Sequence, residues 1–89
     1  MECIEFIVFG HVQGVGFRYF TRKKANELSI HGWVQNEGDG TVKIMASGSQ
    51  NDLLKFTEWC HHGPDTSRVD KLVYEKKDYE AFDGFVIKR

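Results

Sequence analysis

The residues of this chain best suited to chemistry lie in one stretch, Gly10-His11-Val12-Gln13-Gly14-Val15-Gly16-Phe17-Arg18. Glycines let the backbone turn so that successive N–H groups converge on one point, a concavity that suits an oxyanion. The apolar period becomes helical at Phe17, so the stretch opens a helix. The N–H groups at a helix start are unpaired, and the helix dipole favours an anion there. Arg18 falls in the first helical turn, and its guanidinium can grip a phosphate through two parallel hydrogen bonds that Lys cannot copy. The stretch fits neither the Walker nor the dinucleotide-binding pattern. On glycine spacing alone, a Gly-rich turn with a surface arginine explains it equally well.

A second candidate is Asn36, which ends a strand face shared with Gly32 and Val34, just before Glu37-Gly38-Asp39-Gly40. An amide can orient a water by accepting and donating hydrogen bonds. Asn in that place is also a turn former, the reading its position alone favours. Among the histidines, His11 suits a solvated loop position and His31 an exposed one ahead of a strand. His61 and His62 diverge by about 100° on a helix, so favourable charge at the helix end explains them better than a shared metal ion. Asp39 reads as a turn residue, Trp33 as packing on the open face of a sheet, and Gln13 as shaping the loop. Arg22-Lys23-Lys24 beside the loop suits either steering of an anion or a solvated helix face. Cys3 and Cys60 are too few for a disulfide framework, and their spacing matches no zinc site. No metal or cofactor is expected.

The elements that position these residues follow from periodicity. Ile4, Phe6 and Val8 alternate as in a strand with one face on a core. Phe17, Phe20, Thr21, Ala25 and Leu28 fall on one helical arc. Gly32, Val34 and Asn36 form one strand face and Val42, Ile44 and Ala46 another, with Asp39-Gly40 suited to the hairpin loop between. Ser49 and Asp52 have capping-box spacing, with Asp in place of Glu, ahead of a second helix with the stripe Leu53, Phe56, Thr57 and Cys60. Gly63-Pro64 ends it. Val69–Tyr74 and Phe85-Val86-Ile87 complete the order β-α-β-β-α-β with a short final strand. The expected fold is an α+β, ferredoxin-like sandwich: an antiparallel sheet with two helices on one face and right-handed crossovers. Cys3 is out of phase with Ile4, Phe6 and Val8. It should lie on the opposite side of the sheet from Cys60, which precludes a bond between them.

Composition bounds the function. A chain of 89 residues has room for one core, so residues 1–89 are expected to form a single domain. With 40% hydrophobic and 28% charged residues, disorder and a membrane protein are excluded. The longest apolar run, Phe6–Phe9, is far short of the roughly 20 residues of a bilayer span. A net charge of -1 argues against nucleic acid. No basic stretch followed by an apolar one opens the chain, so a reduced, cytoplasmic protein is expected.

Residues 10–18 resemble, almost residue for residue, the first signature of the acylphosphatase family. Gly32-Trp33-Val34-Gln35-Asn36, followed by Gly40-Thr41-Val42 and Gly48, resembles the second. Gly63-Pro64 with Val69, and the closing Phe85-Val86-Ile87, extend the likeness over essentially the whole chain. Ser67 departs from it where Ala is expected, with an effect on packing at most. The resemblance implies a hydrolase that splits the carboxyl–phosphate anhydride of small acyl phosphates. It implies that Arg18 binds the phosphate, that Asn36 positions the attacking water, and that residues His11, Val12, Gln13, Gly14, Val15 and Gly16 supply the N–H cradle. Inorganic phosphate or sulfate should occupy the same site. The chemistry asks for no more, since phosphoryl transfer needs mostly positioning and charge stabilisation. The carboxylate leaving group, with a conjugate acid of pKa about 4, departs without prior protonation. Neither a general acid nor a metal is required. Asn36 takes no proton at neutral pH, so the water's proton goes to the substrate's phosphate or to solvent.

Two rival classes fit these residues less well. In an RNA-recognition domain the aromatic motif lies on a central strand, whereas Gly16-Phe17-Arg18-Tyr19-Phe20 straddles a loop and a helix. A regulatory domain that binds acyl or carbamoyl phosphate without turnover fits poorly with Arg18 and Asn36 both present and with no partner domain in these 89 residues. A monomeric enzyme is the simplest expectation.

Overall fold

The computed structural model describes residues Met1–Arg89. In chain order the elements are β1 (Glu2–His11), α1 (Phe17–Glu27), β2 (His31–Asn36), β3 (Val42–Gly48), α2 (Gln50–His62), β4 (Arg68–Lys77) and β5 (Phe85–Lys88). The sheet order is β4-β1-β3-β2-β5. The α+β, ferredoxin-like class read from periodicity is the class observed. One detail differs: β5 runs parallel to β2, pairing Gly32 with Phe85 and Val34 with Ile87, so the five-stranded sheet is mixed and only β1 to β4 are joined antiparallel.

The alternation in the strands places Phe6, Val8, Val34, Val42, Ile44, Ala46 and Phe85 on the helix-bearing face. Thr21 and Ala25 of α1 and Leu53, Phe56 and Cys60 of α2 are buried in return. Phe56 stands edge-on to Phe6 with ring centroids 5.7 Å apart and meets Phe85 at 6.3 Å. Each such side chain contributes about 1.5–3 kcal/mol by leaving water. Ser49 caps α2 through its hydroxyl, which accepts from Asp52 N–H at 3.2 Å and donates to the Asp52 carboxylate at 2.9 Å. The shorter Asp thus closes on the cap's hydroxyl.

Cys3 and Cys60 are both buried and unpaired, and only Cys60 belongs to the core cluster. Cys3 is covered from the other face by the segment between β4 and β5. The Glu80 backbone hydrogen-bonds the thiol, and the Phe82 carbonyl lies 3.1 Å from His31 Nδ1. Burial, the larger effect, holds both thiols above the ordinary range. No helix is long and apolar enough to cross a membrane.

Between Phe9 and Gly10 the β1–β4 register shifts. Gly10 has φ 133°, and a Cβ there would run into the Arg68 carbonyl oxygen. This bulge redirects β1, and strand pairing ends at His11–Arg68, where the chain leaves the sheet toward α1.

Candidate active site

Residues 12–16 connect β1 to α1 over a floor of their own side chains. Val12 and Phe17 are buried in the core, and Val15 packs against it. Gly14 and Gly16 flank Val15 with φ of 75° and 78°. This alternation turns neighbouring N–H groups to one side. Among the backbone hydrogen bonds of turns, loops and caps, none uses an N–H of residues 12–19 as donor. The first after β1 is from Phe20 to the Gly16 carbonyl, at 3.1 Å. Gly16 is the N-cap of α1, with no side-chain cap and no acidic residue in the first turn. The positive end of the helix dipole is therefore uncompensated at the end of this loop.

A cleft of about 200 Å³ opens at this point. It is lined by Val12, Gly14, Gly16, Phe17, Arg18 and Tyr19 from the loop and the start of α1, and by Asn36, Ile87 and Arg89 from the ends of β2 and of the chain. Asn36 is the last residue of β2, on the helix-facing side with Val34. Its Oδ1 is buried and has no hydrogen-bond partner in the chain. Leaving a buried acceptor unpaired costs about 1–3 kcal/mol, a cost that sets this atom apart from the other polar groups of the site. The turn after Asn36 is built without it. Asp39 accepts from the Thr41 hydroxyl at 2.6 Å and from Thr41 N–H at 3.0 Å, and these bonds hold its carboxyl below the usual carboxylate range.

Gln13 joins the two halves of the site. Its Nε2 donates to the Glu37 carbonyl at 2.8 Å and to the Thr41 carbonyl at 2.9 Å, tying the loop to the hairpin that carries Asn36. Arg18 is half-buried and only lightly engaged, with Nη1 3.4 Å from the Lys88 carbonyl. A light tether leaves its guanidinium free to meet an anion.

Not every expected loop residue lines the cleft. Val12, Gly14, Gly16, Arg18 and Asn36 do; His11, Gln13 and Val15 do not. His11 is exposed at the end of β1, the Gln13 amide is spent on the hairpin, and Val15 turns to the core. Tyr19, Ile87 and Arg89 were not foreseen. Period-two alternation from Phe85, a core residue, would have placed Ile87 and Arg89 on the helix side of β5. The basic patch lies elsewhere: Lys23 and Lys24 border a larger cleft of about 460 Å³ between α1 and the end of α2, with Trp59 and His62. His62 lies 3.8 Å from Asp65, while the His61 ring faces Tyr74, so the two histidines diverge as expected. Trp33 is half-buried on the open face, with Lys88 Nζ 4.1 Å from its ring centroid. No group of three or more His, Cys, Asp or Glu side chains is placed to hold a metal ion.

The chain is similar to known proteins of one family. The sequence model of the acylphosphatase family matches residues 4–87. An acylphosphatase of Mannheimia succiniciproducens is 48% identical over 81 residues, covering 91% of this chain and 88% of that one. One of Leuconostoc mesenteroides is 53% identical over 74 residues, 82% of each chain. The crystal structure of acylphosphatase from Bacillus subtilis superposes with a TM-score of 0.96 at 38% identity, over 100% of both chains.

Proposed function

This chain belongs to the acylphosphatase family, hydrolases of acid anhydrides that act on small acyl phosphates, and from that premise we propose that its reaction takes place in the cleft between Arg18 and Asn36. The observation that carries this reading is the pairing, across one cleft, of a run of free backbone donors with a buried, unpartnered acceptor at Asn36. The loop N–H groups and the Arg18 guanidinium bind the phosphoryl oxygens and spread the charge that develops on them. Asn36 Oδ1 accepts a hydrogen from the attacking water and aims its lone pair at phosphorus. The P–O bond to the carboxyl group breaks, and the carboxylate leaves unprotonated. The water's proton passes to the phosphate or to solvent. Each group of this site binds or orients; none has to exchange a proton or hold a metal.

We also propose that residues 1–89 form a single catalytic domain working as a cytoplasmic monomer. The exposed edge strand β4 supports the monomer, since Arg68, Asp70, Lys71, Glu75, Lys76 and Lys77 guard it against pairing with another sheet. Two buried, unpaired thiols suit a reducing compartment.

Inorganic phosphate tests the site, because it carries the bound half of the substrate without the scissile bond. It should inhibit hydrolysis of benzoyl phosphate competitively. At a tenfold excess over its Kd it should stabilise the fold by about 1.4 kcal/mol, raising Tm by roughly 5–10 °C. Sulfate should act in the same way. Purely non-competitive inhibition would place the anion elsewhere.

A further inference from the structure

The carbonyl of Val15 is bonded to a residue far along the chain that lines the larger cleft and not the one beside Asn36. Thr66 Oγ1 donates to it at 2.7 Å, across 51 residues of sequence. Thr66 is exposed and sits on the turn after α2. That turn is itself closed by Ser67, whose N–H and hydroxyl both donate to the Pro64 carbonyl, at 2.9 and 2.7 Å. Ser67 therefore does more than pack: it fixes the turn from which Thr66 reaches the loop.

The C=O of Val15 and the N–H of Gly16 belong to one planar trans peptide and point in opposite directions. Whatever fixes the carbonyl fixes the N–H. Rotation of this peptide changes ψ of Val15 and φ of Gly16, and glycine accepts φ of either sign. Without a tether the unit is free to flip. Flipped, it would withdraw the Gly16 donor from the cleft and present a carbonyl oxygen to the bound anion. The hydrogen bond from Thr66 also polarises the peptide and strengthens the N–H at its other end.

We propose that Thr66 is a positioning residue for phosphate recognition: its hydroxyl clamps the Val15–Gly16 peptide so that the Gly16 N–H faces the cleft. The clamp is the far-side counterpart of Gln13, which ties the loop to the hairpin. It rests on the reading of this loop as the phosphate cradle. The test compares wild type with Thr66→Ser, Thr66→Val and Thr66→Ala in three measurements: benzoyl phosphate kinetics, inhibition by inorganic phosphate, and the shift of the Gly16 amide NMR signal on adding phosphate. Thr66→Val and Thr66→Ala should raise KM and the phosphate inhibition constant about three- to tenfold, the scale of one net hydrogen bond, and should reduce the Gly16 shift. Thr66→Ser should restore both, and Tm should move by no more than about 2–4 °C in any variant, as for an exposed side chain. Phosphate inhibition in Thr66→Val within about twofold of wild type, or Thr66→Ser as impaired as Thr66→Val, would overturn the clamp. A wild type that phosphate does not inhibit competitively would instead overturn the cradle itself.

Discussion

Asn36→Ala should lower kcat for benzoyl phosphate by about 10²–10³-fold, the range seen when one preorganised group aimed at the transition state is removed. KM and inhibition by phosphate should change little, because the lost group holds the water and leaves the phosphoryl group to the loop. A loss confined to kcat is the signature of an interaction made in the transition state. The two readings of this residue diverge most sharply in stability. A turn former should destabilise the β2–β3 hairpin when truncated. The turn bonds, however, belong to Asp39, Thr41 and Gln13, and Asn36 Oδ1 is buried without a partner. Removing an unpaired buried acceptor relieves a desolvation penalty, so Tm should hold or rise. Asn36→Asp should also be poor, since it sets a negative charge beside an anionic substrate. Turnover of Asn36→Asp at or above wild type would show that the position works as a base, and a large fall in Tm for both variants would restore the turn-former reading.

Arg18→Lys should reduce kcat/KM by about 10²–10³-fold, through both weaker binding and slower turnover. The charge is kept, but the planar fork that matches two phosphoryl oxygens is lost. Arginines that neutralise charge in phosphoryl transfer contribute 10³–10⁵-fold in other enzymes, and a retained ammonium recovers part of that. Stability should be unmoved within about 0.5 kcal/mol, as the guanidinium's one tether within the chain is a 3.4 Å contact with the Lys88 carbonyl. Kinetics within about twofold of wild type would mark Arg18 as a surface helix residue.

Much of this arrangement was legible in the sequence because it depends on local rules. Alternation at Ile4, Phe6 and Val8 and the helical arc from Phe17 place the loop between a strand and a helix, and glycines 14 and 16 supply the positive φ the cradle requires. What was missed depends on contacts between residues distant in sequence. Nothing local to Phe85–Lys88 announces a parallel partner, because strand direction is set by how the preceding segment crosses the sheet. That segment covers Cys3 at Glu80 and meets His31 at Phe82, through backbone groups that every residue carries. The Gln13 and Thr66 bonds span 24, 28 and 51 residues, and a Gln or Thr carries no mark of the carbonyl it will find. Lys23 and Lys24 were placed beside the loop by nearness in sequence. Rotation of about 120–140° around the helix from Arg18 carries them instead to the cleft facing α2.

The most direct test of phosphoryl transfer to a water held by Asn36 is hydrolysis of benzoyl phosphate in oxygen-18-labelled water, with EDTA present and the products read by mass spectrometry. Attack at phosphorus breaks the P–O bond and places the label in inorganic phosphate, leaving benzoate unlabelled at undiminished turnover. Label in benzoate would mean attack at the carbonyl carbon, where neither the N–H cradle nor Arg18 has a part, and would contradict the roles given to Arg18, Asn36 and the loop between them.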